Sequence, residues 1–386
     1  MSENIAKKRK NVGIYIHVPF CLSKCHYCDF CSEQRADEET KEQYVKRLCE
    51  EIGLFAEKIG ESGDVPVADT VYFGGGTPTL LSAEQFGRVL GVIDAKFGID
   101  KNAEITAETN PKSADREKLA EIRKSGVNRL SIGMQSVHDN ELKALGRIHS
   151  FDDFFNTYYD ARRVGFENIS VDLMYGIPQQ TIESFSRSVE TLAVAGPEHI
   201  SSYSLTVEEG TNFYRRRDKL IFPDEDTVAD MYADMGEILT KYGYHKYEIS
   251  NFAKEGRESR HNLKYWRLCD YLGFGPAAHS CFSEKRFAHS RDIDAYIRGE
   301  SIIIDIEELS HREMMNEYAM LGMRLAEGIS FKEFYEKFGE NFLSSFPIFR
   351  NYAPEFVEID REGCRFTDKG VFVSNYILSD ALDFGE

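Results

Sequence analysis

Hydrophobic positions along the first half of the chain alternate between two rhythms. Short runs rich in β-branched residues, at 12–18, 70–73, 104–108, 129–132, 169–174 and 199–205, predict strands. Between them the spacing turns helical. Tyr44, Leu48, Ile52, Phe55 and Ile59 recur at three and four and form one apolar stripe. Ser82 and Gln85 have the spacing of a capping box, followed by Phe86, Val89, Leu90, Ile93 and Phe97 on one face. Gly126 and Gly196–Pro197 supply helix stops before the next strands. Strand then helix, repeated about six times, implies an α/β fold with a parallel sheet and right-handed crossovers. A partial (β/α)6-type barrel satisfies this, with chemistry at the C-terminal strand ends. A doubly wound sheet satisfies the same periodicity.

The rhythm changes after about His311. Met314, Met315, Tyr318, Leu321 and Leu325 predict one helix, and Phe331, Phe334, Tyr335, Phe338 and Phe342 another. Segments 356–359 and 364–367 flank a Glu362–Gly363 turn as a hairpin, with a closing helix to Leu382. The expected division is an N-terminal tail at 1–11, a barrel core at 12–255, a connecting segment at 256–310, and a small α+β domain at 311–386, winged-helix-like in outline.

Composition narrows the class. The 386 residues are 42% hydrophobic and 29% charged, which suits a folded chain with a barrel-sized domain and a smaller appendage. Apolar runs such as 301–306 fall far short of the roughly 20 residues of a membrane helix. The polar, basic start has no signal-peptide pattern, so a cytoplasmic protein without a membrane span is expected. A formal net charge of −18 disfavours nucleic acid as a general partner, since phosphates are repelled. The basic runs at 7–10 and 215–217 are too short to reverse this and read as solvated surface.

Four of the eight cysteines fall within eleven residues, in Cys21-Leu-Ser-Lys-Cys25-His-Tyr-Cys28-Asp-Phe-Cys31, directly after the first strand. This is metal-site spacing rather than a disulfide framework. Three thiolates on one loop can hold three irons of a 4Fe–4S cubane and leave the fourth iron open. S-adenosylmethionine (SAM) can chelate an open iron through its amino nitrogen and carboxylate oxygen. An electron passed to its sulfonium then releases a 5′-deoxyadenosyl radical. The alternative, a structural zinc loop, would call for a second Cys pair or a Cys/His knuckle, and none is placed to complete it. Cys31 as a fourth ligand would close the cluster, so a non-ligand thiol is expected there. Cys49 lies within an amphipathic helix, and Cys269, Cys281 and Cys364 have no sequence partner.

The second strand ends in Phe73-Gly-Gly-Gly-Thr-Pro-Thr79, a turn whose amides can approach a ligand closely. It lacks the Lys-Ser/Thr of a P-loop. Glu108, Gln135 and Asp172 interrupt apolar strands near their ends, where an unpaired polar group is costly to bury. A polar ligand at the barrel mouth accounts for all three, and so do hydrogen bonds to neighbouring loops. Arg147 can meet a SAM carboxylate with a bidentate pair.

The cysteine loop, the Gly-Gly-Gly-Thr-Pro turn, Asp172-Leu-Met-Tyr-Gly-Ile-Pro178 and Tyr203-Ser-Leu-Thr-Val-Glu-Glu-Gly-Thr211 resemble the oxygen-independent coproporphyrinogen III oxidase superfamily, from about Tyr15 to the C-terminus. Arg260-His-Asn-Leu-Lys-Tyr-Trp266 and Tyr271-Leu-Gly-Phe-Gly-Pro-Ala-Ala-His-Ser280 resemble its haem chaperone branch, HemW. The resemblance implies a radical SAM barrel with a HemW-type C-terminal domain. It implies that Cys21, Cys25 and Cys28 hold the cluster and that Tyr15, Gly75 and Glu108 contact cluster-bound SAM. Tyr27, Gly76, Thr77, Gln135, Arg147 and Asp172 match further SAM-site positions. His261, Asn262, Tyr265 and Trp266 match a motif implicated in haem binding, and Trp266 is the only tryptophan. A neutral histidine ligates haem iron well and aromatics pack on porphyrin faces, while the plainer role for His261 is to pack a turn. His279 stays unassigned.

True oxidases carry a fourth cysteine two places after the third and a longer N-terminal segment. Here Phe30 holds that place, Cys31 comes one later, and 20 residues precede Cys21. Gln179 stands where relatives have glycine. The expected function is a haem chaperone that binds cluster, SAM and haem, takes electrons from a flavodoxin or ferredoxin, and delivers haem to respiratory haemoproteins at the cytoplasmic membrane face. Its cluster and SAM would gate transfer rather than turn over a substrate. The alternative is an enzyme, decarboxylating coproporphyrinogen III propionates or degrading haem. A plain redox module would need no SAM cradle.

Overall fold

The computed structural model describes residues 9–35, 37–300 and 303–382. Most of the expected tail 1–11, part of the basic run 7–10 and the first two residues of the apolar run 301–306 lie outside them. The elements of the first half are β1 (Asn11–Val18), α1 (Glu38–Ser62), β2 (Val67–Gly75), α2 (Ala83–Lys96), β3 (Ile99–Thr109), α3 (Arg116–Lys124), β4 (Arg129–Gln135), α4 (Asp139–Ala144), α5 (Phe151–Arg163), β5 (Ile169–Tyr175), α6 (Ile182–Ala195) and β6 (His199–Ser204). The anticipated capping box at Ser82 and Gln85 is formed, and Gly196 ends α6 in the left-handed conformation.

Next come α7 (Asn212–Arg216), α8 (Glu225–Lys241), β7 (His245–Lys246), β8 (Asn251–Ala253), α9 (Arg260–Trp266), β9 (Tyr271–Phe274), β10 (His279–Phe282), β11 (Lys285–His289), α10 (Ile293–Ile297) and β12 (Ile303–Glu308). One sheet runs β12-β11-β10-β9-β1-β2-β3-β4-β5-β6-β8-β7. Strands β1 to β6 are parallel neighbours in chain order, and β9 joins β1 in parallel on its other side. The flanking β10, β11, β12, β8 and β7 run antiparallel to their neighbours. Each crossover therefore steps one strand in the same direction, whereas a doubly wound sheet reverses direction about its first strand. This is a barrel order, left open because the outermost strands do not pair with each other. The stretch 256–310, expected as a connection, supplies four strands to this sheet. They are only four to six residues long and interspersed with glycine and charge, so they carry no usable period.

The two faces of the parallel strands divide the chemistry. Ile14, Ile16, Val71, Phe73, Ala107, Leu130, Ile132, Val171 and Leu173 point outward and are buried in one core with Leu48, Ile52, Phe86, Val89 and Leu119 of the helices. Each Leu, Ile, Val or Phe so buried contributes roughly 1.5–3 kcal/mol. The alternate positions, Tyr72, Glu108, Ser131, Asp172 and Ser201, face a polar lumen.

The last part comprises α11 (His311–Gly322), β13 (Ile329–Ser330), α12 (Phe331–Phe338), α13 (Phe342–Ser345), β14 (Val357–Ile359), β15 (Gly363–Phe366), α14 (Asp368–Phe372) and α15 (Ser374–Ala381). The second predicted helix stops early, because Gly339 takes a left-handed φ of 73° and caps Tyr335. The closing helix is likewise split at Val373. The hairpin is present and gains β13 as a third strand, in the order β13-β15-β14. This unit has its own core, including Phe334, Phe342, Phe349 and Ile377. It docks on the barrel through Lys246–Asp368 at 2.8 Å and the Tyr232–Phe372 ring pair at 5.4 Å.

Candidate cluster and cofactor site

The cysteine loop leaves β1 and is pinned at its neck. The Cys21 amide donates to Glu33 O at 2.9 Å, and Glu33 N to Pro19 O at 2.8 Å. The glycine turn after β2 grips the same neck, with Gly76 N to Val18 O at 2.8 Å and Thr77 N to Phe20 O at 2.7 Å. A Cβ on Gly76 would lie 2.5 Å from Phe20 O, so only glycine permits this approach. Across the mouth, His26 N donates to Leu145 O at 2.9 Å.

Cys21, Cys25 and Cys28 line one cavity of about 320 Å³, together with Tyr27, Gly75, Gly76, Glu108, Gln135, Arg147, Asp172 and Asn262. Arg147 reaches from the rim, its Nη1 3.3 Å from Cys25 Sγ and its Nη2 2.6 Å from both Asn110 Oδ1 and Gly133 O. The Tyr72 hydroxyl donates to Glu108 Oε1 at 2.8 Å, and Ser131 Oγ to Asp172 Oδ1 at 3.1 Å. Burial and then the Asp172 charge push the Glu108 carboxyl up to about 8, and burial raises Asp172 as well. A cationic ligand would favour the ionised form of both.

Two expected SAM contacts stand behind the cavity wall. Thr77 is buried, its Oγ1 3.6 Å from Cys21 Sγ, and it accepts from Asn110 Nδ2 at 2.8 Å. Tyr15 stacks on Tyr72 at 6.2 Å, and its hydroxyl donates to His17 Nδ1 at 3.1 Å. Cys31 is turned away, its Sγ donating to Arg291 O at 3.3 Å. Of the haem motif on α9, Asn262 lines the cavity and Trp266 is half-buried. His261 is 1% exposed, with Nδ1 2.8 Å from Thr70 Oγ1 and Nε2 2.7 Å from the Tyr265 hydroxyl. Burial, with the Lys264 charge, lowers it to about 3. Sequence reasoning passed over Tyr72, Arg129, Ser131 and Tyr203, which also line the cavity. The signal was there: in Arg129-Leu-Ser-Ile-Gly-Met-Gln135 every second residue faces the lumen.

The donor set fits an iron–sulfur cluster. Three thiols converge on a cavity with no oxygen or imidazole ligand among them, and thiolate is the ligand such clusters require. Among the described residues, no three His, Cys, Asp or Glu groups stand close enough to hold a single metal ion. Burial pushes Cys28 up to about 11, so loading must displace its proton. When bound, such a cluster supplies the electron that cleaves SAM.

Fold and site together define a radical SAM protein. Residues 15–192 match the Radical SAM superfamily and residues 309–373 the HemN C-terminal domain. A solved structure, coproporphyrinogen III oxidase (HemN) from Escherichia coli, shares the fold with a TM-score of 0.83, covering 98% of this chain and 91% of its own at 22% identity. "Heme chaperone HemW" of Bacillus subtilis is 38% identical over 86% of this chain and 88% of its own length. The HemW of Lactococcus lactis subsp. lactis is 33% identical over 97% and 98%. The chain belongs to the HemW family. Membership of the radical SAM superfamily carries with it a 4Fe–4S cluster and SAM as cofactors. No helix among the described residues is long and apolar enough to cross a membrane.

Proposed function

We propose that this chain is a cytoplasmic haem chaperone. It holds a 4Fe–4S cluster on Cys21, Cys25 and Cys28, binds SAM against Tyr27, Gly75, Gly76, Glu108, Gln135, Arg147 and Asp172, and passes haem to acceptor haemoproteins. Tyr15 and Thr77 act from behind the wall, on Tyr72 and Cys21. The observation that carries the reading is a three-thiol cavity with half-buried carboxylates, in a chain alike over most of its length to named haem chaperones. Respiratory haemoproteins at the cytoplasmic membrane face are the proposed acceptors, and a flavodoxin or ferredoxin the reductant. Haem is received at α9 through Asn262, Tyr265, Trp266 and His261. To ligate iron, His261 must release Tyr265 or Thr70, so haem docking is coupled to a local opening of α9.

The test is anoxic titration of the reconstituted chain with haem, followed by Soret absorbance, then transfer to an apo-haemoprotein. Saturable binding and transfer are expected, with weaker binding in His261→Ala at unchanged iron content. Unchanged haem affinity in that variant removes His261 from the site. Formation of protoporphyrinogen IX from coproporphyrinogen III in the same incubation would replace the chaperone reading by an enzyme.

A further inference from the structure

The lumen holds one deeply buried charged group, Arg129, that neither the cluster nor the proposed SAM contacts use. Arg129 opens β4, paired with Thr106 of β3, one inward-facing layer below the pair Glu108–Ser131. It is only 2% exposed, heads the largest fully buried side chains, and lines the cavity. Its Nε has no hydrogen-bond partner, and its side chain forms no hydrogen bond or ion pair with the described residues. A buried guanidinium is ordinarily paired, because the hydration it gives up has to be replaced.

The neighbouring groups do not supply that pairing. Glu108 and Asp172 are near enough for their charges to act on Arg129, yet neither forms an ion pair or hydrogen bond with it, Glu108 accepting instead from Tyr72 and Asp172 from Ser131. The other arginine of the cavity, Arg147, is already engaged at the rim by Asn110, Gly133 and Cys25. Five N–H donors in a rigid fork match a carboxylate or a phosphate, and of these two groups haem and SAM carry only carboxylates. A lumen of about 320 Å³ holds one small ligand, not SAM and a macrocycle side by side. Arg129 is 2% exposed, one layer below Glu108–Ser131, so a narrow carboxylate-bearing arm reaches it more readily than a ring system.

We propose that Arg129 is the receptor for a ligand carboxylate carried down into the lumen on a flexible arm and held by its guanidinium in a bidentate pair. Two sources share this chemistry, a propionate of haem held at α9 and the carboxylate of a SAM molecule that is not chelating the cluster. The first rests on the haem reading above, and the second does not.

Binding to the full chain, reconstituted anoxically, separates them. Affinities are measured for haem and its dimethyl ester, and for SAM and its decarboxylated analogue, in the unsubstituted protein, Arg129→Gln and Arg129→Lys. In Arg129→Gln the preference for the acid over its neutralised counterpart should fall by roughly 10- to 100-fold for one of the two pairs. Arg129→Lys should recover only part of it, since an ammonium lacks the fork. A fall confined to the haem pair assigns a propionate, and one confined to the SAM pair assigns the SAM carboxylate. Unchanged preference in both pairs overturns the proposal and leaves the guanidinium to internal water. If Arg129→Gln does not fold, unchanged preference in Arg129→Lys overturns it equally. If neither haem nor its ester binds the unsubstituted chain, the haem reading falls and the SAM pair alone decides Arg129.

Discussion

Cys31 sits three residues from a thiol of the cavity and yet faces elsewhere. Its Sγ donates to Arg291 O, and its own carbonyl accepts from His17 Nε2 at 2.8 Å. Cys31→Ala should therefore retain the iron content and visible absorbance of the reconstituted protein, whereas alanine at Cys21, Cys25 or Cys28 should abolish both. Bleaching by Cys31→Ala would put a fourth thiol on the cluster. Glu108 makes a second residue-scale statement. Its carboxyl lies at about 8 in the folded chain against an ordinary 4.5, so folding favours its protonated form. The stability this contributes is fully present below about 4.5 and lost as pH rises through about 8. Glu108→Gln, neutral throughout, should leave the ligand-free thermal midpoint nearly unchanged at acid pH and raise it by several degrees above pH ~8, where about 1 kcal/mol moves the midpoint of a large domain by about 2–4 °C. An equal shift at both pH values would refute the assignment.

Among the elements, the turn after β2 and the helix α9 set the geometry of the cavity from opposite sides. Gly76 can be replaced only by moving backbone, since its Cβ would meet Phe20 O at 2.5 Å and Val18 O at 2.9 Å. Gly76→Ala should lower iron incorporation at least several-fold by opening the neck of the cysteine loop. Gly87→Ala, on α2 with nothing near its would-be Cβ, should stabilise by up to about 1 kcal/mol in a denaturant melt and leave iron unchanged. On α9, His261 Nε2 is occupied by the Tyr265 hydroxyl. If that nitrogen is to take haem iron, Tyr265→Phe should tighten haem binding by roughly fivefold, the worth of one neutral hydrogen bond. Equal or weaker binding in spectroscopic titration would count against iron ligation by His261.

At the scale of the molecule, the number and order in sequence of the first six strands were legible, because β-branched runs and helical stripes alternate cleanly up to Tyr203. Barrel against doubly wound sheet was not. That choice lies in which strands are neighbours, which periodicity does not carry. The short strands of 256–310 were invisible for want of length. The polar lumen was half legible: Glu108 and Asp172 stood out as interruptions of apolar strands, while Arg129 opens its strand and was passed over as a boundary residue. The cysteines were the most legible feature, since three ligands fit in one loop. The burial of His261 was the least, because its partners Thr70 and Glu104 come from strands far away in the chain.

The pairing of β1 with β9, and of Cys31 with Arg291, joins the start of the chain to residues some 260 positions later. On a ribosome the thiol-bearing loop emerges well before the segments that support it. Until residues 271–291 have been made, β1 lacks its second neighbour and the loop its outer tether. Metal loading consequently belongs after synthesis, and a translation product halted near residue 250 would present three loose thiols to any passing oxidant.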